Sequence, residues 1–375
     1  MNAAMPTTTA TTTTTAAPAL HDEYVNRRTF GALDGLRALS ILAVLWHHAW
    51  EAPTGWIATE RGFLGVDLFF VISGFLIVTL ILRERDRRGV ISLKNFYIRR
   101  FLRIFPVYYG LLAVLALAFV TVGNSANMRA GFFADLPWAL TYTSNWVDLT
   151  TFLAITWSLS AEEQFYVVWP PIERYLRQAA MPVLWVLLLL GQLLHFGWFD
   201  GILTSWGVSA LEPRMLRETG FTPMLLGVLL AHGLHDRRWF DRLAPVLRMK
   251  ALPVAIITAI AAVCSLPISD ITGWPRLSIH ALMTLLIAST VIREDHVLRG
   301  VLRWRPLVEV GVLSYGIYLL HMPIRIGIAT VLGKLGMLHP PLQFGGTVVA
   351  STIVAFLSFR FYESRFLKLK ERFAA

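Results

Sequence analysis

From Leu33 onward the chain alternates long apolar runs with short polar loops. Each run approaches the roughly 20 residues that a helix needs to cross a bilayer core. Ten segments read this way. They are Leu33–Trp50, Phe63–Leu82, Ile104–Val122, Ile155–Leu176, Pro182–Phe199, Phe221–His235, Ala251–Ile268, Ile279–Ile292, Val308–Leu332 and Phe344–Tyr362. The fourth is the most polar, and Leu136–Trp146 reads as a re-entrant or interfacial stretch. The Thr/Ala-rich start has neither the basic end nor the apolar core of a signal peptide. It predicts a disordered cytoplasmic tail over 1–28 and an ordered domain over 29–375.

Loop charge tests the segment count independently. With the N-terminus inside, 25 Lys and Arg fall in inner loops and six in outer ones (Arg61, Arg129, Arg214, Arg217, Arg276 and Lys334). That asymmetry is the positive-inside pattern, and a miscounted helix would scramble it. The expected fold is therefore all-α and polytopic, with about ten transmembrane helices and both termini cytoplasmic.

Composition closes off the alternatives. Hydrophobic residues are 55% and charged residues 15% of the chain, against about 25% charge in a soluble domain. The net charge of +10 is accounted for by inner loops, so no nucleic-acid partner is expected; the bilayer is. Cys264 is the single cysteine, which leaves no disulfide, and no Cys/His spacing suggests a metal site.

Ionisable side chains inside such segments are costly and by default functional. In DGLRALSILAVLWHH, Arg37 and His48 are eleven residues apart, three turns plus about 20°, so they share one helix face. Their separation along the axis is about 16.5 Å. His47 lies about 80° off that face. Asp67 and Ser73 occupy the second segment, Asp67 near its outer end at a depth similar to His48; Ser73 lacks a nucleophile elbow and reads as packing or a hydrogen bond. Glu162 and Glu163 enter the fourth segment at the same outer depth, where a carboxylate can fix the tautomer of an imidazole acting as general base. Ser314, Tyr318, His321 and Arg325 form a stripe by 4, 3 and 4 spacing that faces protein or a water-filled cavity. Arg99, Arg100 and Arg103 precede Pro106 in the longest basic loop. Two readings stand for them: topology with anionic headgroups, or a guanidinium clamp on phosphate. His195, His232 and His280 read as interfacial or packed, and H-x-x-x-D at His232 and Asp236 reads as coincidence.

Six elements in order resemble the acyltransferase-3 family of ten-helix membrane acyltransferases that O-acetylate bacterial surface polysaccharides. They are DGLR with Arg37-x10-His48, GFLGVDLFFVISGF, NFYIRRFLRIFP, TWSLSAEEQFYVVWP, SYGIYLLH and YESRF, spanning Asp34 to Phe366. The doubled His47-His48 departs from the family pattern. The resemblance implies transfer of an acyl group, usually acetyl from acetyl-CoA as co-substrate with no tightly bound cofactor, onto a carbohydrate hydroxyl. It implies a multi-pass protein of the bacterial inner membrane. It marks Arg37 and His48 as central, with His48 acting as general base or accepting the acyl group itself. Ser73, Arg99, Arg100, Arg103, Trp157, Ser158, Glu162, Glu163, Tyr166, Ser314, Tyr315, His321 and Glu363 are further matched positions. Arg37, Arg99, Arg100 and Arg103 would hold the donor's phosphates, and the chain, ending ten residues after Arg365, would be a member without an appended domain. One cavity linking inner arginines to His48 is expected. The rival class is a polysaccharide or lipid transporter, which predicts internal repeats, and none is found. A membrane acyltransferase acting on a lipid or small metabolite is the nearer alternative.

Overall fold

The computed structural model describes residues 20–49, 60–121, 125–206, 221–268 and 271–373. Most of the expected tail, together with Trp50, Arg214 and Arg217, lies outside these residues. The described chain is helical, without strands. Its α-helices of seven or more residues, in order, are α1 Leu20–Asn26, α2 Gly31–Ala49, α3 Leu64–Arg88, α4 Leu93–Thr121, α5 Ala126–Leu140 and α6 Thr156–Tyr175. Then follow α7 Ala180–His195, α8 Thr222–His235, α9 Arg237–Leu247, α10 Leu252–Cys264 and α11 Gly273–Ile292. The last are α12 Arg305–Val312, α13 Ser314–Lys334, α14 Pro340–Ser358 and α15 Ser364–Glu371, the last two joined by a π-turn at Phe359–Glu363.

Five helical stretches are long and apolar enough to cross a bilayer, or seven if each of two bent pairs is one crossing. The bent pairs are α1 with α2, at 64°, and α9 with α10, at 79°. Helices α7 and α8 are apolar but shorter. Each expected segment contains a helix.

One boundary differs from expectation. Helix α1 falls inside the segment expected to be disordered, and its Tyr24 is buried. Tyr24 packs on Phe30 and Phe240, while the Arg83 guanidinium donates to the carbonyls of Tyr24 and Arg27. A seven-residue helix cannot sustain itself; tertiary docking holds it, which a local apolar pattern does not reveal.

The tightest crossing is α3 against α8. A Cβ on Gly74 would overlap the Met224 carbonyl, and one on Gly227 would overlap that of Val71. The two backbones therefore touch through a reciprocal glycine pair. That contact occupies one side of α3 and leaves Ser73 on the other. The stretch expected to be re-entrant is the end of α5, a reversal at Tyr142 with φ 53°, and a 3-10 turn at Ser144–Trp146. It is fastened to α6 by hydrogen bonds from Ser144 to Ser160 at 2.7 Å and from Gln164 to Asn145 at 2.8 Å.

Candidate active site

Helices α2, α3, α4, α6 and α13 enclose a cavity of about 150 Å³. On α3 its wall runs from Val66 to Leu80, a rise of about 21 Å. Ser158, Glu162 and Tyr166 recur every four residues along one face of α6, and Glu163 adjoins them. Arg37, Ser73, Arg100, Arg103, Ser314, Tyr315 and Tyr318 complete the polar lining. Residues scattered over nearly 300 positions of sequence thus meet at one site.

The carboxylates are placed differently from expectation. Glu162 accepts from the Ser73 hydroxyl and from Tyr166, so Ser73 serves as a hydrogen-bond donor. Glu163 lines the cavity and makes no hydrogen bond among the described residues. Neither glutamate meets His48. Their α6 register turns them toward Ser73 on α3 and the cavity that Arg100 and Arg103 also line.

His48 is instead partnered by His321. The His321 Nδ1 meets the backbone carbonyl of Tyr318, and a carbonyl can only accept, so Nδ1 carries the proton and Nε2 a lone pair. His48 Nδ1 lies 3.0 Å from the Val44 carbonyl and 3.2 Å from that lone pair. It too must be protonated, which leaves His48 Nε2 as a free base. His47 points elsewhere, with Nδ1 2.9 Å from the Glu60 carbonyl and its ring against Phe63. Among the described residues the cavity does not reach His48: its lining stops at Tyr318 and Ser158, whose hydroxyls are 2.7 Å apart.

Asp67 does not approach His48 either. It is buried and bonded to His280 at 2.9 Å and Arg276 at 3.3 Å, across α3 and α11. Sequence reasoning missed both partners, treating His280 as packed and Arg276 as loop charge; the unpaired aspartate in an apolar run was the signal.

The arginine cluster divides. Arg100 and Arg103 line the cavity together with Arg37, and Arg100 stacks 4.9 Å over the Tyr166 ring. Arg99 turns away, to Glu84 at 3.1 Å and the Phe373 carbonyl at 2.8 Å. Arg37 is oriented by Asp34 at 2.9 Å. Three guanidinium forks on one cavity suit phosphate.

The remaining matched residues support this shell. Tyr315 donates to the Ile104 carbonyl of α4. Trp157 packs edge-on against Phe70 behind the cavity wall. Glu363 lies in the π-turn and accepts from Ser358 at 3.0 Å, outside the cavity lining. His232 pairs with buried Glu173 at 2.7 Å and Asp236 caps α9, so their spacing is coincidental. Among the described residues no group of His, Cys, Asp or Glu is placed to hold a metal ion.

The acyltransferase domain family matches residues 30–360. The chain is 30% identical over 361 residues to the peptidoglycan O-acetyltransferase OatA of Listeria monocytogenes, covering 90% of this chain and 56% of that one. It is 29% identical over 389 residues to a Staphylococcus aureus protein provisionally named an O-acetyltransferase, covering 92% and 58%. It is 28% identical over 367 residues to a Bacillus subtilis protein provisionally named a peptidoglycan O-acetyltransferase, covering 90% and 55%. The chain therefore spans a little over half the length of these relatives. No solved structure matches it. The family match covers most of the chain, and five of the six motifs supply the polar lining of one cavity; the chain belongs to the acyltransferase-3 family.

Proposed function

We propose that this protein moves an acyl group, acetyl by analogy with its relatives, from cytoplasmic acyl-CoA to a hydroxyl of a cell-envelope carbohydrate. Peptidoglycan is the acceptor that the Listeria relative's name suggests. The protein crosses the cytoplasmic membrane ten times with both termini inside, a reading supported by the loop charges.

The observation that carries this reading is the polarity of the site. Arg37, Arg100 and Arg103 converge on the cavity, and a base with a fixed tautomer stands beyond its other end at His48. Donor phosphates bind the arginines, and the pantetheine arm extends along α3. The acceptor oxygen gives its proton to His48 Nε2 and attacks the thioester carbonyl. The C–S bond breaks, and the thiolate is reprotonated on the cytoplasmic side. Delivery requires the Tyr318–Ser158 hydrogen bond to open.

Sealed vesicles of known orientation, given labelled acetyl-CoA on one side, test this. Label should reach an acceptor outside only when donor is at the cytoplasmic face. Equal transfer with donor and acceptor both confined to that face would replace the two-sided reading with lipid or metabolite acylation.

A further inference from the structure

Between α1, the end of α9 and the loop after α11 lies a second cavity, of about 420 Å³. It shares no lining residue with the first. Four arginines line it: Arg27, Arg248, Arg293 and Arg299. Two are committed to the fold. Arg27 binds the Val291 carbonyl at 2.7 Å and Glu23 at 2.9 Å. Arg293 binds the Arg248 carbonyl at 2.7 Å and Asp295. These bonds cover the carbonyl ends of α11 and α9, which would otherwise repel an anion. The third carboxylate of the lining, Glu294, is taken by Arg303 at 2.9 Å.

Arg248 and Arg299 remain. Among the described residues neither side chain has an ion pair or hydrogen bond, and the nineteen residues before Leu20 contain no Asp or Glu. Two free guanidinium forks facing one cavity fit a phosphate group. The apolar neighbours of the two arginines identify its source. Val246, Met249, Val297 and Val301 flank these arginines in sequence and are each more than half exposed. Val297 N–H bonds the Lys250 carbonyl at 3.0 Å, which holds the two segments side by side. A soluble phosphate compound has no use for exposed apolar neighbours; acyl chains do.

We propose that this cavity holds an anionic phospholipid, its phosphodiester between Arg248 and Arg299 and its chains along the exposed valines. Purified full-length protein in detergent is incubated with phosphatidylglycerol, phosphatidylcholine or inorganic phosphate and read by native mass spectrometry. Phosphatidylglycerol should stay bound, and Arg248→Gln with Arg299→Gln should weaken it about tenfold or more. A double variant of equal charge, Arg238→Gln with Arg305→Gln, controls for net charge and should bind as the parent does, with both proteins eluting as single species. Equal retention in the Arg248/Arg299 variant, equal retention of phosphatidylcholine, or displacement of lipid by inorganic phosphate would each overturn the assignment. A double Arg→Lys variant, which preserves charge and folding, should fall between parent and Gln variant.

Discussion

The Nε2 atom of His321 lies 3.2 Å from Nδ1 of His48, and the carbonyl of Tyr318 sets the protonation of both rings. One backbone oxygen therefore decides which nitrogen of a residue on another helix is basic. His48→Ala should lower acyl transfer by about 10²–10⁴-fold in a protein that still inserts and elutes as a single species. His47→Ala should retain most activity, since its ring is tied to Glu60 and Phe63.

His321 is a positioning residue. His321→Ala should lower kcat by about tenfold with little change in donor KM. His321→Gln, which can place an amide oxygen where the lone pair sits, should recover part of that loss. Equal kcat in the Ala and Gln variants would show that the accepting atom is not what matters.

The split of the arginine cluster separates binding from stability. Arg100→Gln and Arg103→Gln should each raise donor KM by about tenfold, the loss of a charge-assisted hydrogen bond. Arg99→Gln should leave donor KM unchanged and lower unfolding stability by about 1–3 kcal/mol, because it strips a partner from buried Glu84. A donor titration together with a thermal scan of each variant distinguishes the two behaviours.

Asp67→Asn removes the carboxylate that Arg276 and His280 share inside the bundle. A loss of about 3–5 kcal/mol is expected, seen as a lower Tm in detergent with near-normal turnover per folded molecule. An unaltered Tm with collapsed turnover would instead make Asp67 a participant in the chemistry.

Gly74→Ala and Gly227→Ala should each cost about 1–3 kcal/mol or more, since the new methyl meets a partner carbonyl that belongs to a rigid helix. The double variant should cost less than the sum, because one shift of α8 relieves both contacts. Thermal scans of the three proteins measure this.

Much of the architecture was legible because apolar length is a local property. Each expected segment contains a helix, and the Ser314, Tyr318, His321 stripe is a face of α13. What escaped was depth and pairing. Counting residues placed Glu162 level with His48, but the α6 register pairs it with Ser73 and Tyr166 instead. Arg99, Arg100 and Arg103 are equivalent in composition and lie within about 100° of one another around the helix; it is Glu84 and the Phe373 carbonyl, on other parts of the chain, that turn Arg99 away. Helix α1 was invisible because Tyr24 is anchored by Arg83 and Phe240, both distant in sequence.

The carbonyl that fixes His321 also has a consequence for membrane energetics. A peptide oxygen cannot take up the proton, so the imidazole chain ends at Tyr318. Under the proposed two-sided transfer, a proton released by the acceptor cannot return inward through His321, while the departing thiolate consumes one inside. Each turnover then carries one positive charge outward, against an inside-negative voltage, at about 2.3 kcal/mol per 100 mV. The thioester would thus drive both the acylation and a small electrogenic step, and an energised membrane would slow the proposed transfer.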